Sequence, residues 1–319
     1  MDTEAAYRSP LEMQVWVARG EGQFQRPLHL GERPGTSLAT SIRGAFGEAL
    51  LESGCVLAKS SGACVRRPRG ASGCLGPRDC PVRLLHRRTS PAEGRTLGSA
   101  VALWIDSDGA SIQAEVSVWG APAVAARKAV IAAIGEAGRR GLCDDLGKVP
   151  FTLDVKEIHR GSLRTWGRQT GPPPDRLLVE FSTPCHSRAA DLPRIVGNMA
   201  HDLCQWDIED RGLAPDLGRA DCAEAGTRAR RESEESFEGT AMEWQSLSQV
   251  DLGARASRTN SGRIALRGFV GQCLVSGRLA EAGPWLLALA LRGAGGRRSF
   301  GLGRVRIWRP KAADCAVCS

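Results

Sequence analysis

Arginine, histidine and cysteine are the residues of this chain best suited to chemistry, and each occurs in a pattern. Near the C-terminus, LRGAGGRRSFGLGRVRIWRPK sets Gly293, Gly295, Gly296, Gly301 and Gly303 around Arg297, Arg298 and Ser299, with Arg304 following. Glycines let the backbone approach a ligand closely, while guanidinium groups and exposed amides bind phosphate oxygens. From Arg292 to Lys311 there are seven basic residues and no acid. That asymmetry favours contact with a polyanion such as nucleic acid over a plain glycine-rich hairpin corner. The segment is neither a Walker loop, since GxxxxGK[ST] is absent, nor a Rossmann fingerprint, which needs strand, glycines and helix in that order. Here a helix leads in and a strand leads out.

Proton transfer near neutrality is the province of histidine, whose ordinary pKa is about 6.5. The five candidates are His29, His86, His159, His186 and His201. His29, in the loop RPLHLGERPG, is either an acid–base group or a solvent-facing loop residue. His201 falls in VGNMAHDLCQW at a spacing that suits a packed side chain, and His86 sits beside Arg83, Arg87 and Arg88, which suits RNA contact. Arg43, next to Gly44 and Ala45, could bind a phosphate or pair with Glu48. Tyr7, the one tyrosine, could donate a hydroxyl but reads more simply as a terminal residue. Cys55, Cys64, Cys74 and Cys80 match tetrahedral zinc in number. They lack tight CxxC pairs, so a structural zinc and free thiols both stay open. Cys315 and Cys318 form a lone CxxC that reads as a frayed tail. No GxSxG or HExxH occurs, and the single pair Asp144–Asp145 is not a two-metal nuclease site. Nothing in the sequence asks for a catalytic cofactor.

These residues need a scaffold, and the periodicity supplies one. Leu11 to Arg19 alternates as a half-buried strand, and Leu38, Ile42, Phe46, Leu50 and Leu51 recur at helical spacing up to Gly54. Strands follow at Ala100–Asp106 and Ala110–Trp119 around the turn Ser107–Gly109, then a helix at Ala123–Arg140 and a strand at Phe151–Ile158. Strand, helix, strand, strand, helix, strand is the split βαβ order of a ferredoxin-like fold. After Gly171–Pro174, which reads as a linker, the order repeats: strand Arg176–Ser182, helix Ala189–Glu209, strand Leu266–Gly277, helix Leu279–Leu291 and strand Gly301–Trp308. One more strand is needed between Gln245 and Arg258. The expected architecture is therefore α+β, with two tandem ferredoxin-like domains. The first spans residues 1–170 and carries a Cys/Arg-rich loop at 55–98. The second spans 171–319, with a polar insertion at 213–262, expected mainly as a solvated face, and the glycine-rich loop at 293–303.

Composition narrows the functional classes. The chain has 319 residues and a formal charge of +8, and only five of its 43 basic residues are lysine. Arginine in excess favours bidentate binding of phosphate. No stretch approaches the roughly 18 apolar residues of a membrane span, and the start MDTEAAYRSP lacks a signal-peptide layout, so a cytoplasmic location without a membrane partner is expected. Eleven cysteines in that compartment are expected as thiols or metal ligands.

Several of these segments together carry a family resemblance. GGRRSFGLGRVRIW resembles the glycine-rich signature that ends proteins of the RAMP superfamily, the CRISPR-associated RNA-binding proteins. SIRGAFGEAL, DCPVRLL, EFSTPCHSR and LRGFVGQCLVSG resemble one branch, the precursor-crRNA-processing endoribonucleases of the CRISPR-associated endoribonuclease six family. The resemblance implies a metal-independent ribonuclease that binds the repeat of a precursor CRISPR RNA, with its stem-loop as the expected element, and positions a 2′-hydroxyl to attack the adjacent phosphate, leaving a 2′,3′-cyclic phosphate. It also implies that the product stays bound and that other CRISPR effector subunits are partners. Several relatives keep a catalytic histidine in the region of His29, which makes His29 the favoured base, and Arg43 of the first helix is the candidate for the scissile phosphate. Family active sites differ, so arginines could carry the catalysis. The alternative is a non-catalytic RAMP subunit that binds guide RNA in an effector complex.

Overall fold

The computed structural model describes residues 7–29, 38–54, 88–89, 96–144, 146–169, 174–187, 189–213, 216–256, 263–295 and 302–310. Its first half opens with a 3₁₀ turn at Pro10–Glu12 and strand β1 (Gln14–Phe24). The strand starts three residues later than its alternation predicts, because Pro10 begins a turn that Met13 closes onto the Pro10 carbonyl. Helix α1 (Leu38–Gly54) buries Ile42, Phe46 and Leu50 of the expected stripe, with Ala49 beside them, while Leu51 is half-buried. Strands β2 (Val101–Ser107) and β3 (Ser111–Trp119) form the expected hairpin. Its turn is held by Asp108, whose carboxylate accepts the N–H groups of Ala110 and Ser111, and by Gly109 at φ +95°. Helices α2 (Ala121–Ala125) and α3 (Arg127–Arg140) lead to a short ladder (Leu142–Asp144 with Gly147–Val149) and to β4 (Phe151–Ser162). Asp144 ends the first strand of that ladder.

All pairings of this sheet are antiparallel and its order is β2-β3-β1-β4. With helices after the first and third strands, that is the ferredoxin-like topology.

A short helix, α4 (Leu163–Gln169), precedes the second half: β5 (Arg176–Cys185), α5 (Leu192–Asp210), α6 (Arg219–Glu235), β6 (Thr240–Ala256), β7 (Arg263–Gly277), α7 (Leu279–Arg292) and β8 (Val305–Trp308). Its order, β6-β7-β5-β8, repeats the first sheet, again with antiparallel pairing. The chain is therefore α+β with two tandem ferredoxin-like sheets. Helix α5 begins at Leu192 because the Asp191 carboxylate caps it through the Arg194 N–H (3.2 Å). The last strand begins at Val305 because Gly303 at φ +76° cannot be extended.

The polar segment 213–262 departs most from expectation. It holds α6 and β6, and α6 is solvated on one face only: Cys222, Ala225, Gly226, Ala229 and Ser233 are buried against α5. The needed strand is β6, longer than the window predicted for it. Among the described residues no helix is long and apolar enough to cross a membrane. The linker residues 171–173, most of loop 55–98 with His86 and all four of its cysteines, and Cys315 and Cys318 lie outside the described residues.

Candidate nucleic-acid interface

The last turn of a helix leaves carbonyls without intrahelical donors, and α7 meets that need across the molecule. The Leu291 carbonyl accepts the Trp104 indole N–H (3.1 Å) and the Ser117 hydroxyl (2.9 Å), both from the first sheet. Ser117 in turn accepts the Trp119 indole N–H (3.0 Å). The glycine-rich segment leaves α7 at this point and is fixed against the β2–β3 hairpin from its first residue. A Cβ on Gly293 (φ +84°) would come within 2.5 Å of the Trp104 ring, so close packing requires glycine there.

The far end of the segment returns to the same place. Ala294 donates its N–H to the Gly303 carbonyl (2.7 Å), and Gly303 donates to the Pro184 carbonyl (3.0 Å). Any Cβ at Gly303 would overlap the Ala294 carbonyl, and one on Gly295 (φ +67°) would crowd the His186 carbonyl. Gly293, Gly295 and Gly303 thus pin the two ends of the segment. Gly296, Arg297, Arg298, Ser299 and Gly301, which the sequence assigns to RNA, lie outside the described residues.

Arg304 bonds within the protein. Its guanidinium donates to the Asp106 carboxylate (2.5 Å) and to the Ile105 carbonyl (3.4 Å), its side chain is only 14% exposed, and Arg306 reaches the same carboxylate (2.5 Å). These bonds, both from Nη1, hold the segment against the first sheet. Asp106 is its counterpart, and no motif in the sequence marks it.

His29 lies at the same end of the first sheet. Leu28 donates its N–H to the Gly109 carbonyl (2.9 Å) in the β2–β3 turn, three residues from Asp106. The His29 side chain is exposed, and its backbone N–H is held by Asp144 (3.2 Å). One hairpin thus carries both the loop with His29 and the end of the glycine-rich segment. Arg43 belongs to α1, and its side chain lies outside the described residues.

The other described histidines separate by environment. His201 is buried beneath Gly226 of α6, a packed side chain as its spacing implies. His159 is buried and stacked on Trp166 with ring centroids 4.6 Å apart, and burial pushes its pKa down. His186 is different. It follows β5, its backbone meets Gly295, and its Nδ1–H donates to the Arg267 carbonyl (3.1 Å). Sequence reasoning names it among the five histidines and within EFSTPCHSR, without a role. Tyr7 is more than a terminal residue: its hydroxyl donates to Glu232, Arg228 lies over its ring, and burial beside that carboxylate raises its pKa. Among the described residues no group of three or more histidine, cysteine or acidic side chains could hold a metal.

No protein-family model and no curated protein matches this chain. Among solved structures its neighbours are Cas6 and RAMP proteins. A Thermus thermophilus Cas6 is 14% identical, over 93% of this chain and 99% of that one, with a TM-score of 0.43. A Cas6 in complex with its product is 17% identical over 92% and 100%, with a TM-score of 0.46. A RAMP protein binding different RNA substrates is 11% identical over 92% and 100%, with a TM-score of 0.39.

Proposed function

We propose that this protein binds the repeat of a precursor CRISPR RNA and cleaves it without a divalent ion. The observation that carries the reading is the β2–β3 hairpin, which anchors the loop of His29 at Gly109 and the end of the arginine-bearing glycine-rich segment at Asp106. In this reading Arg297, Arg298 and Ser299 hold backbone phosphates. His29 takes the proton of a 2′-hydroxyl as its oxygen attacks the adjacent phosphorus. The bond to the 5′-oxygen breaks, that oxygen gains a proton, and a 2′,3′-cyclic phosphate and a 5′-hydroxyl result. Arg43 or another guanidinium stabilises the added charge on the phosphorane. The loop with Cys55, Cys64, Cys74 and Cys80 would be pinned by a structural zinc, the product would stay bound, and other CRISPR effector subunits would join it.

The test is incubation of the protein with its cognate repeat RNA in excess EDTA and mapping of the product ends. Cyclic-phosphate ends, lost in His29→Ala, are the expected result. Normal cutting by His29→Ala removes His29 from the chemistry, and failure to bind repeat RNA overturns the whole reading.

One observation favours the alternative of a guide-RNA-binding subunit without nuclease activity. Asp144, whose carboxylate accepts the His29 backbone N–H, is filled by Arg26 and by the N–H groups of His29 and Leu146. It is therefore not available to orient the imidazole. Binding without cleavage in the same experiment selects that alternative.

A further inference from the structure

Away from the glycine-rich segment, a groove of about 900 Å³ opens between α4, the end of α6, the start of α7 and the end of β8. Leu11, Trp166, Leu279, Ile307 and Trp308 give it an apolar lining, and Trp308 is 41% exposed. Its charge is opposite to that of the whole chain. Four carboxylates line it (Glu232, Glu235, Glu238 and Glu281) against two guanidiniums, of Arg164 and Arg309, on a protein of formal charge +8. Glu232 is taken up by Tyr7, Ser9 and Arg164. Among the described residues no ion pair reaches Glu235, Glu238 or Glu281. Pro284, inside α7, has no N–H, so the Ala280 carbonyl loses its donor four residues on, and both residues line the groove. The groove therefore offers hydrogen-bond acceptors and apolar rings.

That lining selects among ligands. A nucleic acid brings phosphates, which the carboxylates repel, whereas a peptide with arginine or lysine brings the missing donors. An aliphatic or aromatic side chain would fill the space beside Trp166 and Trp308. We propose that this groove docks a basic peptide segment of a partner protein, anchored by one large apolar side chain. The inference does not rest on RNA cleavage. Along α7 the lining runs from Leu279 to Leu287, which at 1.5 Å per residue leaves about 9 Å of helix before Gly293, so a peptide in the groove and RNA on the glycine-rich segment bind at different places.

The experiment selects a short random-peptide display library on the full chain, with counter-selection on Glu235→Lys/Glu281→Lys. The enriched sequence is then synthesised and its binding followed by fluorescence anisotropy. Enrichment of Arg or Lys around one Trp, Phe or Leu is expected. So are a loss of affinity of about tenfold or more in Trp308→Ala and in Glu235→Gln/Glu281→Gln, the milder pair guarding against misfolding, and retention of the peptide under saturating repeat RNA. Acidic or uncharged peptides, no enrichment, equal binding to the variants, or displacement by RNA would each overturn the proposal. Loss of RNA binding with peptide binding intact would instead sink the RNA reading alone.

Discussion

Asp144 accepts two N–H bonds from Arg26 (2.6 and 2.8 Å) as well as backbone N–H groups, and its side chain is fully enclosed. The Arg26 guanidinium holds its pKa well below the ordinary carboxylate range. A depressed folded pKa means that the stabilising contribution is complete above the unfolded value of about 3.9 and is lost as pH falls through the folded value. Denaturant unfolding of wild type and Asp144→Asn is expected to show a stability gap at neutral pH that narrows as pH drops below about 4. A constant gap would mean that charge is not what Asp144 contributes. His29→Ala is a contrasting case, because its side chain is exposed. Its stability should stay within about 0.5 kcal/mol of wild type by thermal unfolding, so that any loss of cleavage belongs to the reaction. Of these two residues, His29 was visible in the sequence as a loop histidine. The Arg26–Asp144 pair was not, because 118 positions separate the partners.

Helices α5 and α6 show what periodicity reads and what it misses. The stripe of α1 consists of large apolar residues and stands out in the sequence. The buried stripe of α6 is Cys222, Ala225, Gly226, Ala229 and Ser233, small side chains lost among arginines and glutamates, so the segment reads as solvated. Its stability comes from close approach. A Cβ on Gly226 would lie 2.6 Å from the His201 ring and 2.9 Å from the Gln205 amide. Gly226→Ala gains helix propensity but overpacks this contact, and a net loss of about 1–3 kcal/mol is expected in chemical denaturation. Glu224→Ala, on the exposed face of the same helix, should be close to neutral. Equal effects of the two would show that α6 does not pack through Gly226. Strand β6 escaped for a related reason. From Ala241 to Asp251 only Trp244 and Val250 are even partly buried, so the edge strand has no alternation to read.

The two sheets are joined where α7 ends. Trp104 and Ser117 cap Leu291, and Arg304 and Arg306 converge on Asp106. The order of elements, and hence the tandem architecture, was legible because turns and apolar runs are local. This junction was not, since its partners lie almost 200 residues apart. Arg304 and the pair Arg297 and Arg298, to which the proposed function gives the RNA phosphates, can be told apart by one set of measurements. Each phosphate neutralised contributes about 0.7 (single strand) to 0.9 (duplex) to the slope of log affinity against log salt concentration. Arg297→Ala/Arg298→Ala should therefore reduce that slope by about 1.4–1.8 and leave thermal unfolding unchanged. Arg304→Ala should lower the unfolding temperature and show coupling of about 1 kcal/mol with Asp106→Ala in a double-mutant cycle, while leaving the slope nearly intact. If Arg304→Ala instead removes a full phosphate's worth of slope without affecting stability, its guanidinium serves the RNA, and Asp106 only parks it when RNA is absent.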